Sequence, residues 1–282
     1  MQKIENKITI IFSTLFVLLT LSVLVYFFND YLNYENESKV KAQMDLYLKD
    51  LTGKIKDKRD IVLTAAVLLA KDNDVQACLS KKSRINCTGH LKKVQMTFNN
   101  LSFSKNIKIH VHTKDLKSFF RLWELGENKN DSLSSFRESL LMVKDTKKEL
   151  SGVEIGRSSM LLRGISPVLD KDEYLGSIEV ITDFNSIASS YRKIGINFYV
   201  LMHKRYRDIV NKVSFGKDNK VGDFLVINEL NSRVNSLENI NFKGTNYIKK
   251  ENFYILYTPV FDITGNEIGY YVLKINQNKI AL

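Results

Sequence analysis

Little in this 282-residue chain breaks a helix or ties a loop: it holds two prolines and two cysteines, one tryptophan and four histidines. No G-x-S-x-G, Walker A, HExxH or CxxC pattern occurs. The nucleophile elbow, the phosphate-cradling loop, the two-histidine zinc helix and the redox pair are therefore all missing. Ser158 and Ser159 stand beside Arg157 with no base nearby in sequence, and the carboxylates are scattered. No catalytic site, cofactor or metal centre is expected. Cys78 and Cys87, with eight residues between them, offer too few ligands for zinc, and only His90 lies close. In an oxidising compartment they read as a disulfide, and otherwise as two free thiols.

Charge of one sign is in excess: 42 Lys+Arg stand against 31 Asp+Glu, a formal net charge of +11. The lysines are dispersed rather than gathered into a stripe, so composition explains the balance and nucleic-acid binding is not expected.

One long apolar run is present. Ile8–Phe28 carries 21 residues without a formal charge, enough for a helix to cross the roughly 30 Å hydrocarbon layer. No A-x-A-like cleavage site follows it, which favours an uncleaved anchor over a signal peptide. Lys3 and Lys7 precede it, so residues 1–7 are expected in the cytoplasm and everything beyond about Asn29 outside. The expected location is the inner membrane, single-pass, with the bulk of the chain in the periplasm.

Residues 29–72 contain no proline. Their apolar positions Val40, Met44, Tyr47, Leu51, Ile55, Val62, Ala65 and Leu69 recur every three or four residues. This spacing predicts a long amphipathic helix whose stripe forms a homodimer seam or rests on its own domain. A second helical region, broken near Ser80–Cys87, runs to about Asn100. From Ile107 the pattern becomes strand-like: IKIHVH, a turn, SFFRLW, a helix capped by Ser132 or Ser134, then strands near 152–156, 160–169 and 174–182. Strict alternation puts Phe119, Arg121 and Trp123 on one face, and Leu161, Arg163 and Ile165 on another.

LRGISPVLDKDEYLGSIEV and LYTPVFDITGNEIGYYVLKI share a Pro-Val-apolar-Asp frame, a turn and an apolar-Gly strand. The two prolines of the chain, Pro167 and Pro259, fall at equivalent points 92 residues apart. This repeat predicts two α+β modules, 73–183 and 184–282, each closed by a hairpin.

The run HVHTKDLKSFFRLW…NDSLSSFRESL…SGVEIGRSSMLLRGISPV resembles the double Cache (tandem PAS-like) sensor domains of bacterial chemoreceptors, sensor histidine kinases and diguanylate cyclases. The matching positions include His110, His112, Ser118, Phe119, Arg121, Trp123, Phe136, Arg137, Glu154, Arg157, Arg163 and Pro167. The resemblance implies an α+β fold: an N-terminal transmembrane helix and long stalk helix, then two tandem Cache modules with antiparallel sheets. It implies extracytoplasmic ligand sensing relayed to a cytoplasmic signalling partner. Only NQNKIAL follows Ile275. The expectation is thus a truncated receptor, or an anchored sensor that hands its signal on; a non-sensing scaffold is the alternative.

Arginines among apolar neighbours must meet an anion. For Arg121 and Arg163 the candidates are Glu154 or Asp183 inside the module, or the carboxylate of a small ligand walled by Trp123 and Phe119. Arg137 reads equally well as a helix-surface residue. His110 and His112 share a strand face, as polar packing beside a pocket or as a pH-responsive pair.

Overall fold

The computed structural model describes residues 2–101, 106–126, 130–212, 216, 219–228 and 234–280. Met1, and the side chains of Lys3 and Lys7 that set the expected orientation, lie outside the described residues. The chain forms two compact units, Met1–Tyr47 with Asn278–Leu282, and Leu48–Gln277.

Helix α1 runs unbroken over Gln2–Ala70; its one glycine and lack of proline leave nothing to interrupt the hydrogen-bond ladder. Leu15, Leu18, Leu24, Phe27 and Phe28 are exposed. Among the described residues α1 alone is long and apolar enough to cross a membrane. In the larger unit, Leu51, Val62, Ala65 and Leu69 are buried within the chain. This part of the expected dimer stripe is consumed by the protein's own domain, so it is not a seam for a second copy. The three-to-four spacing could not distinguish the two, because both demand one apolar face.

Two short helices follow, α2 (Asn73–Ser80) and α3 (Ile85–Asn100), joined by a Cys78–Cys87 disulfide. Asp72 caps α2 by accepting the Asp74 and Val75 N–H groups.

The first sheet comprises β1 (Lys108–Thr113), β2 (Ser118–Arg121), β3 (Leu150–Ile155), β4 (Met160–Asp170) and β5 (Glu173–Thr182). It is antiparallel, in the order β2-β1-β5-β4-β3. Because β2 and β3 are opposite edges, their connection must cross the whole sheet. It carries helix α4 (Glu138–Thr146) over one face, where Leu140 and Val143 pack with Ile165 and Leu116. The residue preceding α4 is Arg137, not Ser132 or Ser134; Ser132 instead bridges Lys117 beside β2.

The opposite face takes α1. A Cβ added at Gly164 would collide with the Val62 backbone, so this glycine lets the helix axis approach β4. Lys58 of α1 also reaches the Thr182 hydroxyl on β5, at 3.2 Å. Arg163 and Ile165 flank Gly164 and so point away from α1.

Helix α5 (Asn185–Lys193) leads to the second sheet. Its strands are β6 (Asn197–His203), β7 (Lys220–Val221), β8 (Phe224–Val226), β9 (Asn246–Lys249), β10 (Phe253–Phe261) and β11 (Glu267–Asn276). The order is β7-β8-β6-β11-β10-β9. The repeat is carried down to register. Val168 pairs Gly176 and Val260 pairs Gly269, with a β-bulge immediately after each valine. At both glycines the neighbouring strand's carbonyl, His112 or Leu201, occupies the space a Cβ would need. The modules meet where Val153 bridges Asp262 and Gly152 receives Ile263.

Two outcomes test this packing in the full chain held in detergent. Gly164→Ala should lower the urea-unfolding free energy by about 1–3 kcal/mol, because α1 must lift off β4. Cys78→Ser with Cys87→Ser should lower it by about 2–3 kcal/mol, the closure entropy of a short loop.

Candidate functional site

The site grows from a departure in strand pairing. His110 pairs Arg121 and Val111 pairs Phe120, but His112 pairs Ser118, so Phe119 is an extra residue bulged out of β2. Ser118 and Arg121, on opposite faces under strict alternation, thereby reach the same face, and the Ser118 hydroxyl meets His110 Nε2 at 2.8 Å. The expected Phe119–Arg121–Trp123 face does not form. Phe119 turns to the far side of the hairpin, where the Arg84 guanidinium lies 5.0 Å from its ring centroid. Trp123, just beyond β2, does line the cavity beside Arg121.

Beneath the cavity is a buried charge network centred on Glu179, which is fully inaccessible. Its Oε1 accepts from Arg163 Nη1 at 2.9 Å and from Arg137 Nη2. Arg137 also donates through Nε to Glu154 Oε2, at 2.6 Å. Glu154 in turn accepts the Ser139 hydroxyl at 2.7 Å and the Ser139 N–H at 3.2 Å. A β3 carboxylate thus caps α4 and faces the positive end of its dipole. Arg137, legible as a helix-surface residue, is only 3% exposed and joins both glutamates.

His110 and His112 complete the buried layer. His112 Nε2 and His110 Nδ1 are 3.0 Å apart, and His112 Nδ1 meets the Ser177 hydroxyl at 2.9 Å. A single proton relay, Ser177 to His112 to His110 to Ser118, satisfies every ring nitrogen with both imidazoles neutral. Burial pushes both histidines below their ordinary pKa, His110 the further because His112 lies beside it. Glu179 opposes its own desolvation with Arg137 and Arg163, which hold it well below the usual carboxylate range. His110, His112 and Glu179 present ligand atoms within 4.8 Å of one another. A cation there would compete with two guanidinium groups already on Glu179.

The outer layer is looser. Asp131 Oδ2 accepts from Arg121 Nη2 at 3.0 Å and Arg157 Nη1 at 2.7 Å. Asp131 is pinned because its carbonyl accepts the Ser118 N–H and Asn130 N–H returns to the Ser118 carbonyl. Arg157 stacks over Phe136, and Lys108 over Trp123. Lys212, from the second module, donates its N–H to the Arg157 carbonyl and its ammonium to Glu124 at 2.8 Å. The cavity of about 50 Å³ is lined by these cations with Trp123, Phe136 and Leu161.

Among the residues singled out from sequence, Arg121, Trp123, His110, Arg137 and Arg163 line the cavity, while His112 and Glu154 sit in the network behind it. Asp183 does not take part. It accepts the Asn185 N–H at the start of α5 and bonds Asn106. The anion of Arg121 is accordingly Asp131, and that of Arg163 is Glu179. Sequence reasoning missed Asp131, Glu179 and Lys212. Asp131 was in view as the first residue of D-x-L-S-x-FR, and Arg157 as the last of SGxEIGR. Glu179 was signalled only as a lone carboxylate in the apolar run GSIEVI.

Residues 37–279 match the family described as the double sensory domain of two-component sensor kinase. No curated protein matches the sequence. Among solved structures, the domain of a putative sensory box/GGDEF family protein from Vibrio parahaemolyticus aligns at 14% identity and TM-score 0.52, covering 86% of this chain and 99% of that one. The extracellular domain of the putative histidine kinase vpHK1S-Z8 aligns at 14% identity and TM-score 0.51, covering 86% and 94%. The ligand-binding domain of Campylobacter jejuni chemoreceptor Tlp3, in complex with 4-methylisoleucine, aligns at 13% identity and TM-score 0.48, covering 86% and 91%. At these identities the structural likeness is one of fold, and the family rests on the match across most of the chain: this protein belongs to the double Cache family of sensory domains.

Proposed function

We propose that this chain is a membrane-anchored sensor, held by residues 8–28 in the inner membrane with its two modules in the periplasm. In this reading it binds a small carboxylate-bearing molecule in the membrane-distal module, 73–183, and passes the event to a cytoplasmic signalling partner. The observation that carries the reading is the convergence of Arg121, Arg137, Arg157 and Arg163 on one small cavity with aromatic walls. Arg137 and Arg163 are consumed by the buried glutamates, so they set the potential of the site. Arg121 and Arg157 share a single carboxylate oxygen of Asp131 at the cavity wall, and a ligand carboxylate entering there meets both guanidinium groups. A relay through α1 has a physical route. The helix rests on β4 and β5, the strands that carry Arg163 and Glu179 on their other face. If α1 also joins two copies, it does so away from the Leu51–Leu69 stripe.

Thermal-shift measurements on the full chain in detergent, against carboxylates, amino acids and amines, test this directly. At least one carboxylate should raise the melting temperature. Arg121→Ala should weaken that ligand tenfold or more, the value of a charge-assisted hydrogen bond of about 1.5–3 kcal/mol. Shifts that persist undiminished in Arg121→Ala would place the ligand elsewhere.

The buried histidines give a second expectation. Their folded pKa values lie below the ordinary value, so between the two pKa values protons bind the unfolded chain preferentially. Stability is then complete above about pH 6.5 and falls as pH drops through it, by up to about 1.4 kcal/mol per pH unit for each histidine. Glu179, depressed below its own ordinary value, loses its contribution only at lower pH. Urea unfolding from pH 7.5 to 5 should show this slope, and His110→Gln with His112→Gln should flatten it.

A further inference from the structure

A second, wider cavity of about 360 Å³ opens where α1 passes from one module to the other. Gly164 seats α1 on β4 at Val62. Arg59 and Ile55, one and two helical turns earlier, line open space instead. The sheets account for the gap. β3 is the outer strand of its sheet, and it reaches the second module through the Val153–Asp262 bridge and the seat of Ile263 against Gly152. Ser151 pairs Gly164 and Val153 pairs Leu162, so Ser151 and Leu162 share the face that carries α1. Ile55, Leu162, Pro259, Val260 and Ile263 give the cavity an apolar wall, with exposed Phe261 at its rim.

Among the described residues, three polar groups of this lining have no hydrogen-bond or ion-pair partner: the Tyr271 hydroxyl, the Ser151 hydroxyl and the Arg59 guanidinium. Tyr271 is buried and closes the inner end, its ring held between Phe184 and Phe198. Burial pushes its phenol well above the ordinary pKa, so it stays protonated and can donate. Arg59 is exposed and therefore stands at the mouth, with Ser151 half-buried. Asp262, the carboxylate of the lining, is engaged in its own turn. Its Oδ1 accepts the Thr264 N–H at 2.9 Å, the Thr264 hydroxyl at 2.7 Å and the Asn266 N–H at 2.9 Å. A basic ligand finds no free carboxylate here, and a purely apolar one leaves the Tyr271 hydroxyl as it is.

The geometry points to a binding site between the modules for a small monocarboxylate whose apolar body ends in a hydrogen-bond acceptor, an oxo or hydroxy acid. The carboxylate meets Arg59 at the mouth, the body covers the aliphatic wall, and the far oxygen accepts from Tyr271. Such a molecule touches α1 and both modules at once. The site is separate from the first-module cavity and does not depend on it.

The test is calorimetric titration of the full chain in detergent with levulinate, pentanoate and butanone, protein-free micelles being titrated in parallel. Levulinate should bind about fivefold more tightly than either of the others, each of which lacks one polar end. Arg59→Gln should remove its advantage over butanone, and Tyr271→Phe its advantage over pentanoate. Tyr271→Phe should not lower the ligand-free melting temperature, because the hydroxyl has no partner to lose. Arg121→Ala, in the first-module cavity, should leave all three affinities unchanged. Absence of levulinate binding overturns the inference and leaves the first-module reading intact. Equal affinity for the three compounds, or binding undiminished in both cavity variants, overturns it as well. A lower melting temperature for Tyr271→Phe would reveal a partner already on the hydroxyl, with the same consequence. Levulinate binding lost in Arg121→Ala places the molecule in the first module, which overturns this inference and supports the sensing reading.

Discussion

A carboxylate with no access to water, Glu179, organises the first module. Burying it alone would be prohibitive, and the surrounding elements are arranged so that it is never alone. Arg163 reaches it from the neighbouring strand and Arg137 from the helix that crosses the sheet, while His110 and His112 approach it from β1. Removing either arginine would leave an uncompensated buried charge, a loss of several kcal/mol. Such a network adds little net stability over an apolar core, but it admits few alternative packings. It therefore fixes where α4 begins, since the helix N-terminus is tied to Glu154 through Ser139 and Arg137. The cavity above inherits its walls from that placement.

The sheet stands between the cavity and the long helix. On one face lie the arginines; on the other, α1 is seated against Gly164 and held by Lys58 at Thr182. Alternation along β4 and β5 puts the cavity-facing side chains and the contacts with α1 on the same two strands. The backbone bond from Lys212 to Arg157 ties the cavity rim to the second module.

The fold was largely legible in the sequence. The uncharged run, the three-to-four stripe and the duplicated Pro-Val frame each encode a local rule that tertiary structure did not override, whereas strand alternation failed at the β2 bulge. The site was legible as residue types and not as pairings. Arg121 was visible as a cation needing an anion, yet its partner came from a loop, ten residues on, whose position depends on backbone bonds to Ser118. Glu179 faces His110 only because β1 and β5, nearly seventy residues apart, are neighbours. One bulge at Phe119 was enough to bring Ser118 onto the face of Arg121 and to turn Phe119 away from it. A period-two argument carries no information about an inserted residue.

Burial of the charge pairs falls off from floor to rim. Arg137 holds two carboxylates and the Ser139 hydroxyl in the dry floor, where any rearrangement exposes a bare charge. Arg121 and Arg157 compete for one oxygen of Asp131, while its other oxygen, also buried, makes no hydrogen bond in the structure. A carboxylate bound in this one-sided way is a poorer partner than a bidentate fork. In the proposed sensing reading, the middle layer is where an incoming anion can enter without disturbing the floor. A sensor needs that combination, a foundation too costly to rearrange beneath a layer of ion pairs that is not yet optimal.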